Sequence, residues 1–314
     1  MALTTPATVG GSAARDITAG MTKRGLDVRG KLVEAVLVGL LALSMLVLVT
    51  LIVDLLIRSW SLWSDRPWNF ITTNLNAQDA ASAGIGQAIR GTLVLCVIVM
   101  VIAFPLGIAC AVYLEEYANK GLFARLIRVN VRNLAGVPSI VYGLLGLAIF
   151  VKLLSGMNGG RNIFAGGLAL SALVLPIVVI TTSEALRAVP RSIREGALGV
   201  GATQWETIRS HVLPSAAPGI LTGTVLSLAR AAGEAAPVLL VGAATGLLRT
   251  GNQSFWDQLQ GSFTAMPVAI FSYARQPGAD FRAVTAAASL VLLALVLFMN
   301  AIAIALRNRY EKKW

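Results

Sequence analysis

The sequence predicts an all-α polytopic membrane protein with six transmembrane helices and a helical loop on the cytoplasmic side. Of its 314 residues, 56% are hydrophobic and only 13% are charged, with a mean hydropathy of +0.74. That is too little charge to clothe a water-soluble domain of this length. Six apolar runs reach the ~20 residues that a bilayer crossing requires. Lys and Arg also collect on alternate connections, as the positive-inside rule demands.

Residues 1–31 read as a flexible cytoplasmic tail, rich in Thr, Ala and Gly and carrying Arg15, Lys23, Arg24, Arg29 and Lys31. The apolar run that follows is too long for a signal peptide and lacks a small-residue cleavage site. The membrane domain then fills 32–306, and 307–314 form a second cytoplasmic tail. Predicted spans are 32–57, 91–114, 133–151, 163–183, 216–242 and 283–306. Pro138 and Pro176 fall inside the third and fourth, where neighbours can re-satisfy the backbone. Between spans one and two, Trp60, Trp63 and Trp68 suit an interfacial belt. The connection between spans five and six holds the apolar stretch Phe263–Tyr273, too short to cross, which predicts a dip into the membrane or an interfacial helix. This outer surface is also where a solute-delivering partner or a plain lid would sit.

With the N-terminus inside, the tail, Lys120–Arg132, Arg187–Arg209 and Arg307–Lys313 gather seventeen basic residues, against eight on the outer connections. Both termini are therefore expected in the cytoplasm, and much of the net charge of +11 expresses topology, not nucleic-acid binding. Cys96 and Cys110 lie fourteen residues apart in one run, about 21 Å along a helix, so they cannot form a disulfide.

The fifth span carries charges at depth. Arg230 and Glu234 are four residues apart, on one face of a helix, about 21 and 27 Å from its start at Ala216. Intramembrane charges cost roughly 2.5–3.5 kcal/mol each on insertion scales, so they mark a substrate pathway or a neutralising pair that pins helices together. In the first reading Arg230 grips an oxyanion through its planar fork. Glu234 then favours an oxyanion that still bears a proton, as phosphate does and sulfate does not.

Residues 184–214, EALRAVPRSIREGALGVGATQWETIRSHVLP, form an ordered elbow between spans four and five. Pro190 suits a first helical turn, and Gly199 is placed as a left-handed stop. Thr203 and Glu206 make a capping box, and Pro214 is expected to end the second helix. Trp205, Ile208 and Val212 are spaced to share one face. A bland loop on the membrane surface is the competing reading.

Glu195-Gly196-Ala197, Gly201 and Leu213-Pro214 are similar to the E-A-A, x3, G, x9, I-x-L-P signature of ABC importer permeases, with His211 where that signature has Ile. The resemblance implies that Glu195, Gly196, Ala197, Gly201, Trp205, Leu213 and Pro214 belong to coupling helices that enter a cleft of a cytoplasmic ATPase. The segment from Leu228 to Pro237, LARAAGEAAP, resembles the R-A-x-G-E-T-A-P segment of PstA-type phosphate permeases, with Ala235 in place of Thr. Pro237 sets it apart from the sister PstC type. Residues 265–271, AMPVAIF, resemble that family's S-L-P-x-x-I-Y segment. What the resemblance implies is a transport subunit, not an enzyme, in the inner membrane. Its expected partners are a second permease (PstC-like), an ATPase dimer (PstB-like), an external phosphate-binding protein (PstS-like) and membrane lipids. ATP and Mg belong to the ATPase, because this chain has no P-loop motif and binds no cofactor itself. His211 has no Cys or acidic cluster around it in sequence, so neither a metal site nor a triad is expected. A molybdate or sulfate permease, and then a secondary transporter, are the alternatives.

Overall fold

The computed structural model describes residues 28–118, 121–158, 160–243 and 262–310. Most of the expected N-terminal tail, residues 244–261 of the long connection and residues 311–314 lie outside these. Every described regular element is a helix. Five helices are long and apolar enough to cross a membrane, and a sixth crossing exists if one sharply bent pair is a single span.

The chain divides into units Met1–Asp54 and Leu55–Trp314. In the first, the described part of α1 (Val28–Asp65) exposes Leu37, Leu41, Leu48 and Leu51. An apolar helix exposed to this degree needs lipid or protein around it, not water.

In the second unit, α1 ends with Leu62 buried and Trp63 edge-on to Phe70, ring centroids 5.9 Å apart. Phe70 belongs to α2 (Pro67–Thr72). Helix α3 (Gly86–Val112) continues through a π-helical turn, Tyr113–Tyr117. Three apolar clusters follow one another along α3. Ala88 packs with Phe70, Met266 and Tyr273. Leu95, Val99 and Ala103 pack with Leu170, Val174, Leu228 and Val268. Ala111 and Leu114 pack with Leu186, Ile208 and Val212. The partner helices are α6 (Ile163–Ala188), α9 (Leu213–Gly233), α11 (Met266–Ala274) and α12 (Asp280–Tyr310). The stretch expected to be too short to cross is thus the nine-residue α11, with Met266, Val268, Ala269 and Tyr273 buried.

Two predicted spans are not single helices. The third runs instead as α4 (Leu122–Ala135) and α5 (Ser139–Gly146), the latter extended by a π-helical stretch to Leu153, with a 102° bend between them. The bend falls at Gly136-Val137-Pro138, because proline disfavours the helical conformation of the residue before it and has no N–H to donate. Asn133 therefore belongs to the strongly amphipathic α4, which carries Arg125, Arg128 and Arg132 along one side. The fifth predicted span breaks into α9 and α10 (Ala236–Val241). Pro237 cannot bond the Gly233 carbonyl four residues back, and its ring would clash there, so the helix ends at Gly233.

At the end remote from the elbow, close backbone approaches fix the packing. Tyr273 donates its hydroxyl to the Gly84 carbonyl at 2.6 Å, and burial pushes that phenol up to about 12. Arg66 donates to the carbonyls of Ala80 and Ala81, closing the loop after α2. A Cβ at Gly91 would lie 1.9 Å from the Thr264 carbonyl oxygen, so α3 and the segment before α11 touch backbone to backbone. Gly91→Ala is expected to cost about 1–3 kcal/mol through overpacking. Thermal unfolding of the detergent-solubilised chain checks it; an unchanged midpoint would show that the two backbones are free to separate.

Candidate functional site: a broken helix and its elbow

The composition of α9 decides which way it faces. Ala216, Ile220, Gly223, Thr224, Ser227, Leu228, Ala231 and Ala232 are buried. Gly219, Thr222, Leu226, Arg230 and Gly233 are exposed, spaced three, four, four and three apart. Gly219 lies close against Ala185 of α6, where a Cβ would come within 2.8 Å, but from Thr222 to Gly233 one stripe of the helix is left open, and Arg230 lies on it.

Glu234 is the first residue beyond the helix, with φ −81° and ψ 113°, and its N–H reaches only the Ala231 carbonyl, at 3.3 Å. The sequence placed Arg230 and Glu234 on one continuous helical face. In the structure the carboxylate sits instead at the break, held by extended backbone. The two still meet, Arg230 Nε to Glu234 Oε1 at 3.4 Å, with the Arg side chain 51% exposed and the Glu side chain 19%. A pair this open is weakly held, because solvent screens it and each long side chain keeps other rotamers within reach. A Cβ on Gly233 would meet nothing within 4 Å, so the space beside the pair is open.

The elbow starts at Pro190, which caps α7 (Arg191–Gly199) from outside the helix. Its stop differs from the expectation. Gly199 is the last helical residue, and Gly201 takes the left-handed conformation at φ +90°. Gly201 N–H donates to Leu198 O at 3.0 Å and Ala202 N–H to Ala197 O at 3.1 Å, a Schellman closure. The Thr203–Glu206 capping box then forms as the spacing predicts and opens α8 (Gln204–Thr207). Pro214 does not end that helix. The chain passes through a π-helical turn, Ile208–Val212, directly into α9, where Pro214 occupies the tolerant first turn.

Ile208 and Val212 are buried as expected, but Trp205 is 53% exposed, so it does not share their packed face. Leu198 at 52% and Val200 at 86% are exposed as well, so the tip of the elbow presents three large apolar side chains. Glu195, Gly196, Pro214 and His211 are exposed, Leu213 is half-buried, and Ala197 is buried.

Two residues that sequence reasoning passed over tie this elbow down. Glu115 and Glu116, in the π turn ending α3, each bind an arginine of the 184–214 segment. Glu115 takes Arg187 through both carboxylate oxygens at 2.7 and 2.8 Å, and Glu116 takes Arg194 at 2.7 Å. An acidic pair closing an apolar run, opposite arginine-rich connections, was the available signal. Counting only Lys and Arg for topology hid it.

A family model for the inner membrane component of binding-protein-dependent transport systems matches residues 103–312. The chain belongs to that family: it is a transport subunit of an ABC importer, not an enzyme. Its relatives include the phosphate transport system permease protein PstA of Mycobacterium leprae, 40% identical over 72% of this chain and 71% of that one. PstA of Xylella fastidiosa strain Temecula1 is 35% identical over 76% and 80%. Among solved structures, a bacterial alginate ABC transporter in complex with an alginate pentasaccharide-bound periplasmic protein gives a TM-score of 0.62 at 18% identity, covering 89% of this chain and 96% of that one. Inward-facing MetNI, a methionine ABC transporter, gives 0.53 at 17% identity, over 73% and 95%. Identities this low speak for the fold alone. The sequence relatives place the chain, within its family, among the PstA permeases.

Only glycine holds φ +90° without strain, so Gly201→Ala is expected to destabilise the elbow turn by about 1–2 kcal/mol. Hydrogen exchange of residues 191–207 reads this directly, and unaltered protection would mean that the Schellman closure does not set the turn.

Proposed function

We propose that this chain is the membrane-spanning permease subunit of an ATP-driven phosphate importer, and that Arg230 and Glu234 stand on its translocation path. The open stripe of α9 that ends at this pair is the observation that carries the reading. A lone helix-pinning pair would be packed on all sides. This one borders open space and spans a helix break, where backbone and side chain can rearrange together.

The chemistry follows from the exchange of partners. Without solute, Glu234 neutralises Arg230. An entering phosphate takes the guanidinium as a bidentate oxyanion ligand. The freed carboxylate then accepts a hydrogen bond from the phosphate's remaining proton, a bond that sulfate cannot offer. Because the starting pair is half-solvated, its loss is a small cost against that gain.

Energy enters at the other end. The exposed Leu198, Val200 and Trp205 suit an apolar cleft on an ATPase subunit, and Glu195, Gly196, Ala197, Gly201, Leu213 and Pro214 build the rigid turn that presents them. The excess of basic residues on the elbow, α4 and the two tails supports a cytoplasmic location for the elbow and both termini. The assembly would comprise this chain, a PstC-like permease, a PstB-like ATPase dimer that binds ATP and Mg, and a PstS-like external phosphate-binding protein.

In proteoliposomes holding that assembly, Arg230→Gln is expected to cut phosphate import by about 100-fold, as loss of a charged ligand worth 2–3 kcal/mol would. Glu234→Gln should instead narrow the preference for phosphate over sulfate. Wild-type import rates in Arg230→Gln would remove the pair from the path, and import of molybdate or sulfate in preference to phosphate would reassign the solute.

A further inference from the structure

The elbow is joined by the chain itself to only two membrane helices. Val189 and Pro190 connect α7 back to α6, and the π turn at Ile208–Val212 leads forward into α9. Helix α3 ends some seventy residues earlier in sequence and has no covalent link to the elbow, yet it is fastened there by a set of polar contacts.

Arg194, on α7, is the centre of that set. Its Nη2 binds Glu116 Oε1 at 2.7 Å, and its Nε lies 3.2 Å from Oε2, so the guanidinium and carboxylate meet fork to fork. The same guanidinium donates to two carbonyls at the end of α6, Val189 O from Nη1 and Leu186 O from Nη2, both at 2.8 Å. One side chain thus gathers α3, α6 and α7. Gln204, at the start of α8, donates to the main-chain carbonyl of Glu116. Glu115 completes the set by binding Arg187 of α6, with Arg128 of α4 3.8 Å away. Beneath these groups Leu114, Leu186, Ile208 and Val212 are fully buried together.

Burial separates this pair from an ordinary surface ion pair. The Glu116 side chain is 9% exposed and that of Arg194 22%, against 51% for Arg230. A shielded pair is screened little, and removing one partner strands the other's charge.

We infer that Glu116, paired with Arg194, is a positioning residue of the transport cycle: it ties α7 to the end of α3, so that a displacement of the elbow is delivered to α3 as well as along the chain into α6 and α9. Glu115 with Arg187 holds α3 to α6 at the same level. The Gln204 bond and the apolar contacts of Leu114 lie beside the α3–α7 tie, which is the charged, bidentate part of the contact through which elbow motion reaches α3. This role rests on the importer reading above, whereas the tie itself does not.

The test uses the complete transporter in proteoliposomes and measures phosphate imported per ATP hydrolysed. Glu116→Arg and Arg194→Glu should each lower that ratio by about 10-fold while ATP hydrolysis persists, and the double charge swap should recover most of the loss, as coupled neighbours do. Glu116→Gln, a gentler change, should lower the ratio in the same direction. A purely structural role would reduce import and hydrolysis together, leaving the ratio unmoved; that result, or a swap that recovers nothing, overturns the inference. Hydrogen exchange on the purified chain reads the tie independently: residues 191–199 should lose protection in Glu116→Gln, and wild-type protection would show that no tie exists. If the wild-type assembly imports no phosphate, the importer reading fails, and the exchange experiment still decides the tie.

Discussion

A backbone carried through hydrocarbon has no water to bond, so each N–H and C=O must be satisfied within its own helix or by packed protein. Long helices are the inexpensive solution, and α3, α6 and α12 adopt it, with Pro105 and Pro176 accommodated inside α3 and α6. An interruption persists only where neighbours or polar groups cover it. Within the predicted spans there are two proline-directed breaks, at Gly136–Pro138 and at Glu234–Ala235, and the described structure has three π-helical stretches, at Tyr113–Tyr117, Leu147–Leu153 and Ile208–Val212. The polar chemistry gathers at these places. Glu115 and Glu116 stand in one π turn, another joins the elbow to α9, and Glu234 occupies the second break.

Helix α9 connects the two regions of interest. Its twenty-one residues rise about 32 Å from Leu213 to Gly233, close to the thickness of a bilayer core. It starts without a loop from the elbow and stops at the charged pair. Small residues on its buried side, Ala216, Gly223, Ser227, Ala231 and Ala232, let it lie close against its neighbours, and Leu228, Ala231 and Ala232 lock it into the central apolar cluster. Arg230 stands on the side left open, at the end of this anchored helix.

The two kinds of charge pair answer different needs. Arg194–Glu116 is shielded, bidentate and backed by two carbonyl acceptors, so it resists opening. Arg230–Glu234 makes one contact at 3.4 Å with the guanidinium half in the open, so it yields readily to a competing ligand.

Much of this was legible in the sequence, because composition, periodicity and local caps are properties of short stretches. The all-helical membrane class followed from the apolar runs and scarce charge, the capping box from Thr203 and Glu206, and the pairing of Arg230 with Glu234 from their spacing of four. Register and partnership were not legible. The exposure of Trp205 and the left-handed residue falling at Gly201 and not at Gly199 depend on how each stretch is continued and packed. Glu115 and Glu116 meet their arginines across more than seventy residues of sequence, and only the packing of α3 against α6 and the elbow brings them together. Local chemistry fixes which residues are costly to place in a membrane; the tertiary structure decides which of them face one another, since contact at a distance along the chain is set by helix packing and not by spacing.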